Sequence, residues 1–258
     1  MDRHRDLKRI IILGVALLAI VIAFLVPPIP QDPSYHNFAD QRRILGIPHY
    51  WNVVSNLPFL AIGLLGLQLV VRGPVTGGLS ELRSGYLLFF LGVLLIGCGS
   101  IYYHLSPSNR TLIWDRLPMT ISFMAFFSVI VGENISDTLG RRILWPLLLV
   151  GIISVVYWNI TEARGNGDLR PYALVQFLPM LLIPVILILF RPSLSETGYI
   201  WAVLGAYAVS KVAELHDEAA FRFLGVLSGH SLKHLFAALG TYFFLLALKR
   251  RSLIAERA

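Results

Sequence analysis

Three histidines, a serine and an aspartate each sit at or near the end of an apolar run. His230 and His234 are four residues apart in Ser228-Gly229-His230-Ser231-Leu232-Lys233-His234, which opens the last such run. On a helix that spacing puts both imidazoles on one face, with Cβ atoms about 5–6 Å apart. The pair suits one zinc ion at Zn–N distances of about 2.0–2.1 Å, and by itself would suit two histidines capping a helix at a membrane interface just as well. His104 closes an earlier run, Gly99-Ser100-Ile101-Tyr102-Tyr103-His104. A third imidazole from another helix completes a shell whose open fourth position is typical of catalytic rather than structural zinc. Ser100 lies one turn before His104, where its hydroxyl would reach an attacking water or the oxyanion that follows; its alternative is a bond to its own i−4 carbonyl. Asp115 follows eleven residues after His104. It either caps its helix, pairs with Arg116, or acts as the general base that takes a proton from water and returns it to a leaving amine.

The elements that must hold these residues are membrane-spanning. Of the 258 residues 56% are hydrophobic and 14% charged, against about 25% charged in soluble domains, and mean hydropathy is +0.68. Crossing about 30 Å of hydrocarbon takes roughly 20 apolar residues. Eight runs qualify, at about 10–26, 51–71, 85–104, 114–132, 143–159, 172–190, 199–214 and 229–248. The fold class expected is therefore an all-α polytopic bundle. The first run follows a basic head but leads into Pro27-Pro28-Ile29-Pro30 rather than a small-residue cleavage site, so it reads as an uncleaved span. Residues 1–50 form an N-terminal transmembrane anchor and outer loop, 51–248 the catalytic domain, and 249–258 a basic cytoplasmic tail.

Net charge is +7, yet the basic residues are strewn through short loops, with no solvated basic face for nucleic acid. Thirteen of the 22 fall on the side of the termini (Arg3, Arg5, Lys8, Arg9, Arg72, Arg83, Arg141, Arg142, Arg191, Lys249, Arg250, Arg251, Arg257). Seven fall opposite (Arg42, Arg43, Arg110, Arg116, Arg164, Arg170, Arg222), with Lys211 and Lys233 within or near spans. The positive-inside rule then makes the termini cytoplasmic. That topology brings His104, Asp115, His230, His234 and the polar residues Asn52, Ser55 and Asn56 to the outer end. Glu214, His216 and Asp217 also close a span there, and the two acids read as solvated loop residues rather than partners that orient ligands. Tyr102 and Tyr103 read as interfacial aromatics, and Cys98, between Gly97 and Gly99, as a helix-packing residue. Gly165-Asn166-Gly167-Asp168 is a turn; Glu133 and Asp137 face the cytoplasm.

Gly99-Ser100-x-x-x-His104, Asp115-x-Leu117-Pro118-Met119, Tyr50-Trp51-Asn52-Val53-Val54-Ser55-Asn56 and His230-x-x-x-His234 together resemble the alkaline ceramidase family, in the family's order, from about Trp51 to Leu248. That family belongs to a wider group of seven-helix membrane proteins that includes the adiponectin and progestin receptors. The resemblance implies zinc on His104, His230 and His234, with Ser100 and Asp115 serving the water and the tetrahedral intermediate. It also implies hydrolysis of a ceramide-like amide to a sphingoid base and a fatty acid. The family core has seven spans, so the first run is an added anchor. Eukaryotic members carry a glutamate just before the aromatic-Trp-Asn run as part of a calcium site; here His49 stands there, and no calcium dependence is expected. The expectation is a zinc-dependent hydrolase of a lipid amide, working within the bilayer. Its rivals are a non-enzymatic zinc-containing lipid receptor on the same bundle and a b-type haem protein, which would leave the serine and aspartate without a role.

Overall fold

Inside hydrocarbon every backbone N–H and C=O needs an internal partner, which leaves an apolar run one solution, a continuous helix. The computed structural model describes residues 3–254, and the apolar runs are helices throughout. In order they are α1 (Arg3–Leu25), the short α2 (Tyr50–Val54), α3 (Leu57–Arg72), α4 (Arg83–Leu105), α5 (Asn109–Asn134) and α6 (Asp137–Ala163). Then follow α7 (Arg170–Leu189), α8 (Gly198–Leu215), the short α9 (Asp217–Leu224) and α10 (Gly229–Arg250). The molecule is an all-α membrane bundle, with no β-strand among the described residues.

Seven of these stretches are long and apolar enough to cross a bilayer. The eighth expected span, α8, has 18 residues, but Lys211 and Glu214 reduce its hydropathy. It nonetheless packs along α10. The expected second span is broken at Ser55-Asn56 into α2 and α3, next to Pro58 in the first turn of α3, since proline has no N–H to continue the preceding ladder. α9, read from sequence as loop, is a short amphipathic helix.

α5 is the inner helix, 72% buried over its apolar window, against 33% to 50% for the other core spans that have the required length and hydropathy. It packs on α4, α6 and α7, while α3 joins α4 to α10. α1 leans only on the outside of this bundle, against α7, and its window has no buried share. α7 and α8 hardly pack on each other although consecutive in the chain. The middle of the bundle is filled by edge-to-face rings of Phe89, Phe90, Phe126 and Phe244. A second apolar cluster, Phe38, Tyr103, Leu112, Val155, Trp158 and Tyr172, lies at the end where α4 stops and α10 starts.

Two polar devices tie the ends of the bundle. At one end the segment 26–49 is stitched down by Leu169 N–H donating to Ile29 O (2.8 Å), Gln31 N–H to Glu162 (3.0 Å) and Ala39 N–H to Asp217 (2.9 Å). Asp168, in the turn before α7, accepts from Arg170 at 2.8 Å, which holds its carboxyl below the ordinary value. At the other end Glu133 accepts two bonds from Arg251 (2.9 and 2.8 Å) and one from Tyr86 (2.8 Å), all buried. Arg251, expected in a solvated tail, is 3% exposed; Arg257 of that tail lies outside the described residues.

Candidate metal centre

α4 ends one residue after His104 and α10 starts one residue before His230, so the histidine side chains meet between these two helix ends. Ser228 caps α10 by accepting from Ser231 N–H at 3.2 Å. The i,i+4 spacing then brings the His230 and His234 rings to 4.9 Å between centroids, and His104 lies 5.0 and 4.9 Å from them. One ring nitrogen from each of the three lies within 4.8 Å of the other two, and all three residues are buried.

Whether these residues fit a metal is tested by His104 Nε2 and His234 Nε2, which face each other at 3.3 Å. Two ligands at about 2.0–2.1 Å on a tetrahedral ion stand roughly 3.3–3.4 Å apart, so this pair already has the separation of a shared ligand edge. The far side of His234 supports the same tautomer. Ser55 Oγ lies 2.8 Å from His234 Nδ1 and donates its own proton to Asn52 O at 3.3 Å. It therefore accepts from Nδ1–H and leaves the Nε2 lone pair free, the usual way a ligating histidine is oriented. His230 Nε2 is 3.0 Å from Lys233 Nζ. One nitrogen cannot accept that bond and hold a metal. To hold a metal, His230 would use its other nitrogen, or Lys233 would turn wholly onto Glu214, 3.0 Å away. The donor set is all nitrogen and fits zinc.

Asp115 is in the second turn of α5, whose cap is Ser108 accepting from Thr111 N–H. Capping is therefore not its role, and no ion pair joins it to Arg116. Ser100 and Asp115 line the same cavity. The two meet because Gly99 sets α4 directly on the Trp114 carbonyl, where a Cβ would collide. That carbonyl has no helical donor, because Pro118 four residues on lacks an N–H. Gly229 does the same for α10, whose start abuts Ala213 O and Asp217.

Ser100, Asp115, His234 and Asn56 line one cavity of about 300 Å³. Polar at this end, it continues between Phe59, Phe89, Phe126 and Phe123 and reaches the lightly packed gap between α7 and α8 at Phe177 and Tyr207. A long apolar chain fits its depth and a polar group its mouth.

Several partners were missed or misread from sequence. Phe38 packs its ring on both His104 (4.7 Å) and His230 (4.5 Å); an isolated phenylalanine in a polar loop gives no signal. Tyr103 is not interfacial but fully buried, its hydroxyl 2.8 Å from His36 Nδ1, whereas Tyr102 is exposed as expected. Glu214 and Asp217 are partly buried and paired. Glu214 accepts from Lys211 (2.6 Å), Lys233 (3.0 Å) and Tyr35 (3.3 Å); Asp217 accepts from His230 N–H at 2.7 Å. Burial and Glu214 keep the Tyr35 phenol protonated, well above its ordinary value. His216 bonds its own helix and stays out of the site. Cys98 is exposed; Gly97 and Gly99 make the close contacts.

Comparison with known proteins points the same way. A family model described as Ceramidase matches residues 46–192, a stretch that holds Ser100, His104 and Asp115. "Alkaline ceramidase 3" of Mus musculus is 22% identical over 214 residues, covering 78% of this chain and 77% of that protein. "Putative alkaline ceramidase dcd3A" of Dictyostelium discoideum is 26% identical over 99 residues, 34% of each chain, so the chain spans about a third of its length. The family match takes in more than half of the chain, and the chain belongs to the ceramidase family.

Proposed function

We propose that this protein is an intramembrane zinc-dependent amide hydrolase, cleaving a ceramide-like N-acyl lipid to a free fatty acid and an amine of the sphingoid-base type. The observation that carries the reading is the convergence of three buried imidazoles with Ser100 and Asp115 beside a lipid-sized cavity. His104, His230 and His234 would hold the zinc, which supplies Lewis-acid polarisation of the amide carbonyl and lowers the pKa of water to about 7. Asp115 takes the proton of the attacking water and passes it to the departing nitrogen. Ser100 steadies Asp115 and donates to the oxygen that gains charge. The apolar depth of the cavity takes the acyl chain and keeps bulk water from the reaction.

The site lies at the extracytoplasmic end, with both termini cytoplasmic. Residues 1–50 act as anchor and outer segment on a catalytic unit of 51–248, with 249–258 as its tail. Calcium is not required: Asp40, the buried acid upstream of α2, is already taken by Arg42 at 2.7 and 2.9 Å. Elemental analysis of the purified protein is expected to give about one zinc per chain, lost in His234→Ala and His104→Ala. Asp115→Asn is expected to keep the zinc and lose about 10²–10⁴-fold in fatty-acid release. Wild type without metal would overturn the reading. An Asp115→Asn protein that bound and signalled lipid unchanged would favour a receptor.

A further inference from the structure

The polar end of the cavity is lined by three cations, Arg116, Lys211 and Lys233, against two carboxylates, Asp115 and Glu214. Arg116 lines it and is 6% exposed. Its guanidinium is stacked against Trp158 (4.2 Å) and Tyr172 (4.9 Å) and donates through Nη2 to Gln31 Oε1 at 2.6 Å. Gln31 is neutral, and Nη1 is buried without a partner. A guanidinium is always charged, and burying it with an open donor is costly unless an anion completes it. Across the same cavity Lys211 and Lys233 share one carboxylate, Glu214, which leaves that trio one positive charge in excess. Tyr35 joins the two groups, donating to Glu214 while its ring faces Arg116 at 5.7 Å.

We infer that the lipid amide bears an anionic group, a carboxylate or phosphate, at its polar end, and that Arg116 binds it with Lys211 and Lys233 supplying the surrounding field. This rests on the hydrolase reading above and narrows its substrate class, since a plain ceramide has no such charge. The anion belongs to a lipid and not to free solute, because the cavity behind Arg116 is walled by Phe59, Phe89 and Phe126 and rewards an attached apolar chain. Arg116 and Asp115 line the same cavity, so one bound lipid amide can reach both.

The test uses the full-length, zinc-loaded protein in detergent with three amides of one acyl length: a ceramide, a ceramide phosphate and an N-acyl amino acid. At least one anionic amide is expected to exceed the ceramide in kcat/KM by about tenfold or more, the strength of a charge-assisted bond. Arg116→Gln is expected to bring that ratio near one with zinc content unchanged, and Lys211→Met to lower it by a smaller factor should Arg116→Gln fail to fold. A ceramide hydrolysed as well as both anionic amides overturns the inference. Should none be hydrolysed, the hydrolase reading fails, and displacement of a fluorescent fatty-acyl probe still decides this one. Anionic amides displacing it at tenfold lower concentration uphold the anion site. Equal displacement by the ceramide, or by inorganic phosphate alone, overturns it.

Discussion

Ser55 does not line the cavity; it holds His234 by Nδ1 and leaves Nε2 free for the metal proposed above. Partners of this kind orient the ring and raise its basicity, and their loss typically costs about 10–100-fold in metal affinity. Ser55→Ala is accordingly expected to weaken zinc binding by that factor, read by competition with a chelator, while leaving the fold intact because only one hydroxyl is removed. Unchanged affinity would mean that the ring keeps its orientation without the Ser55 hydroxyl. At this scale the sequence is read well where spacing carries geometry. His230 and His234 share a face because a helix repeats, and Ser100 and His104 for the same reason. It is read poorly where a contact crosses between elements. Phe38 against two imidazoles and Glu214 between two lysines depend on how segment 26–49 and α8 are laid down, and no local pattern records that.

The contact that aligns α4 with α5 is backbone on backbone. Gly99 rests on the Trp114 carbonyl freed by Pro118, and an added methyl would meet that oxygen rather than a side chain able to swing away. Gly99→Ala must therefore part the two helices just where Ser100 faces Asp115. Overpacking of this kind costs about 1–3 kcal/mol, and the displacement acts on catalysis as well. The expected outcome is a lowered thermal midpoint together with a kcat loss larger than that of the same change at the exposed Gly14, where a Cβ would meet nothing. A variant with wild-type kcat would show that the crossing tolerates the methyl. The helices themselves were legible from hydropathy, but the break at Ser55-Asn56 was not, since Pro58 fits the first turn of a new helix and the kink of a continuous one equally well. That break matters, because it is what turns Ser55 and Asn56 toward His234.

Over the whole molecule, the end remote from the histidines is closed by Glu133 and Arg251, with side chains 3% and 2% exposed. Removing one partner of a buried pair strands the other, at a cost of about 3–5 kcal/mol. Arg251→Met is thus expected to lower stability by that amount in a denaturant titration, and Glu133→Gln combined with it to restore part of the loss. If the single and double variants are equally stable, the pair contributes nothing to holding the chain after α10.

The histidine cluster also constrains how the chain is threaded. α4 arrives at His104 and α10 departs from His230, so an even number of traverses must separate them, namely α5, α6, α7 and α8. α8 is the one whose composition falls short, on account of Lys211 and Glu214, yet without its full return the imidazoles would stand at opposite ends of the bundle. Those two charges are accommodated because they face each other, Lys233 and the cavity rather than lipid, as ionisable residues within a membrane must. Five traverses, α3 to α7, separate the segment 26–49 from the α7–α8 connection and set them on opposite sides, and the topology proposed above would put the latter in the cytoplasm. Single cysteines in a Cys98→Ser background test this. Leu45→Cys, at a position 85% exposed, is expected to react with an impermeant maleimide in intact cells. Glu196→Cys, exposed between α7 and α8, is expected to react only after the membrane is opened. Labelling of both from the same side would mean that one of the five traverses α3 to α7 between them does not cross the membrane, whereas an exchange of the two results would keep the site and turn it toward the cytoplasm.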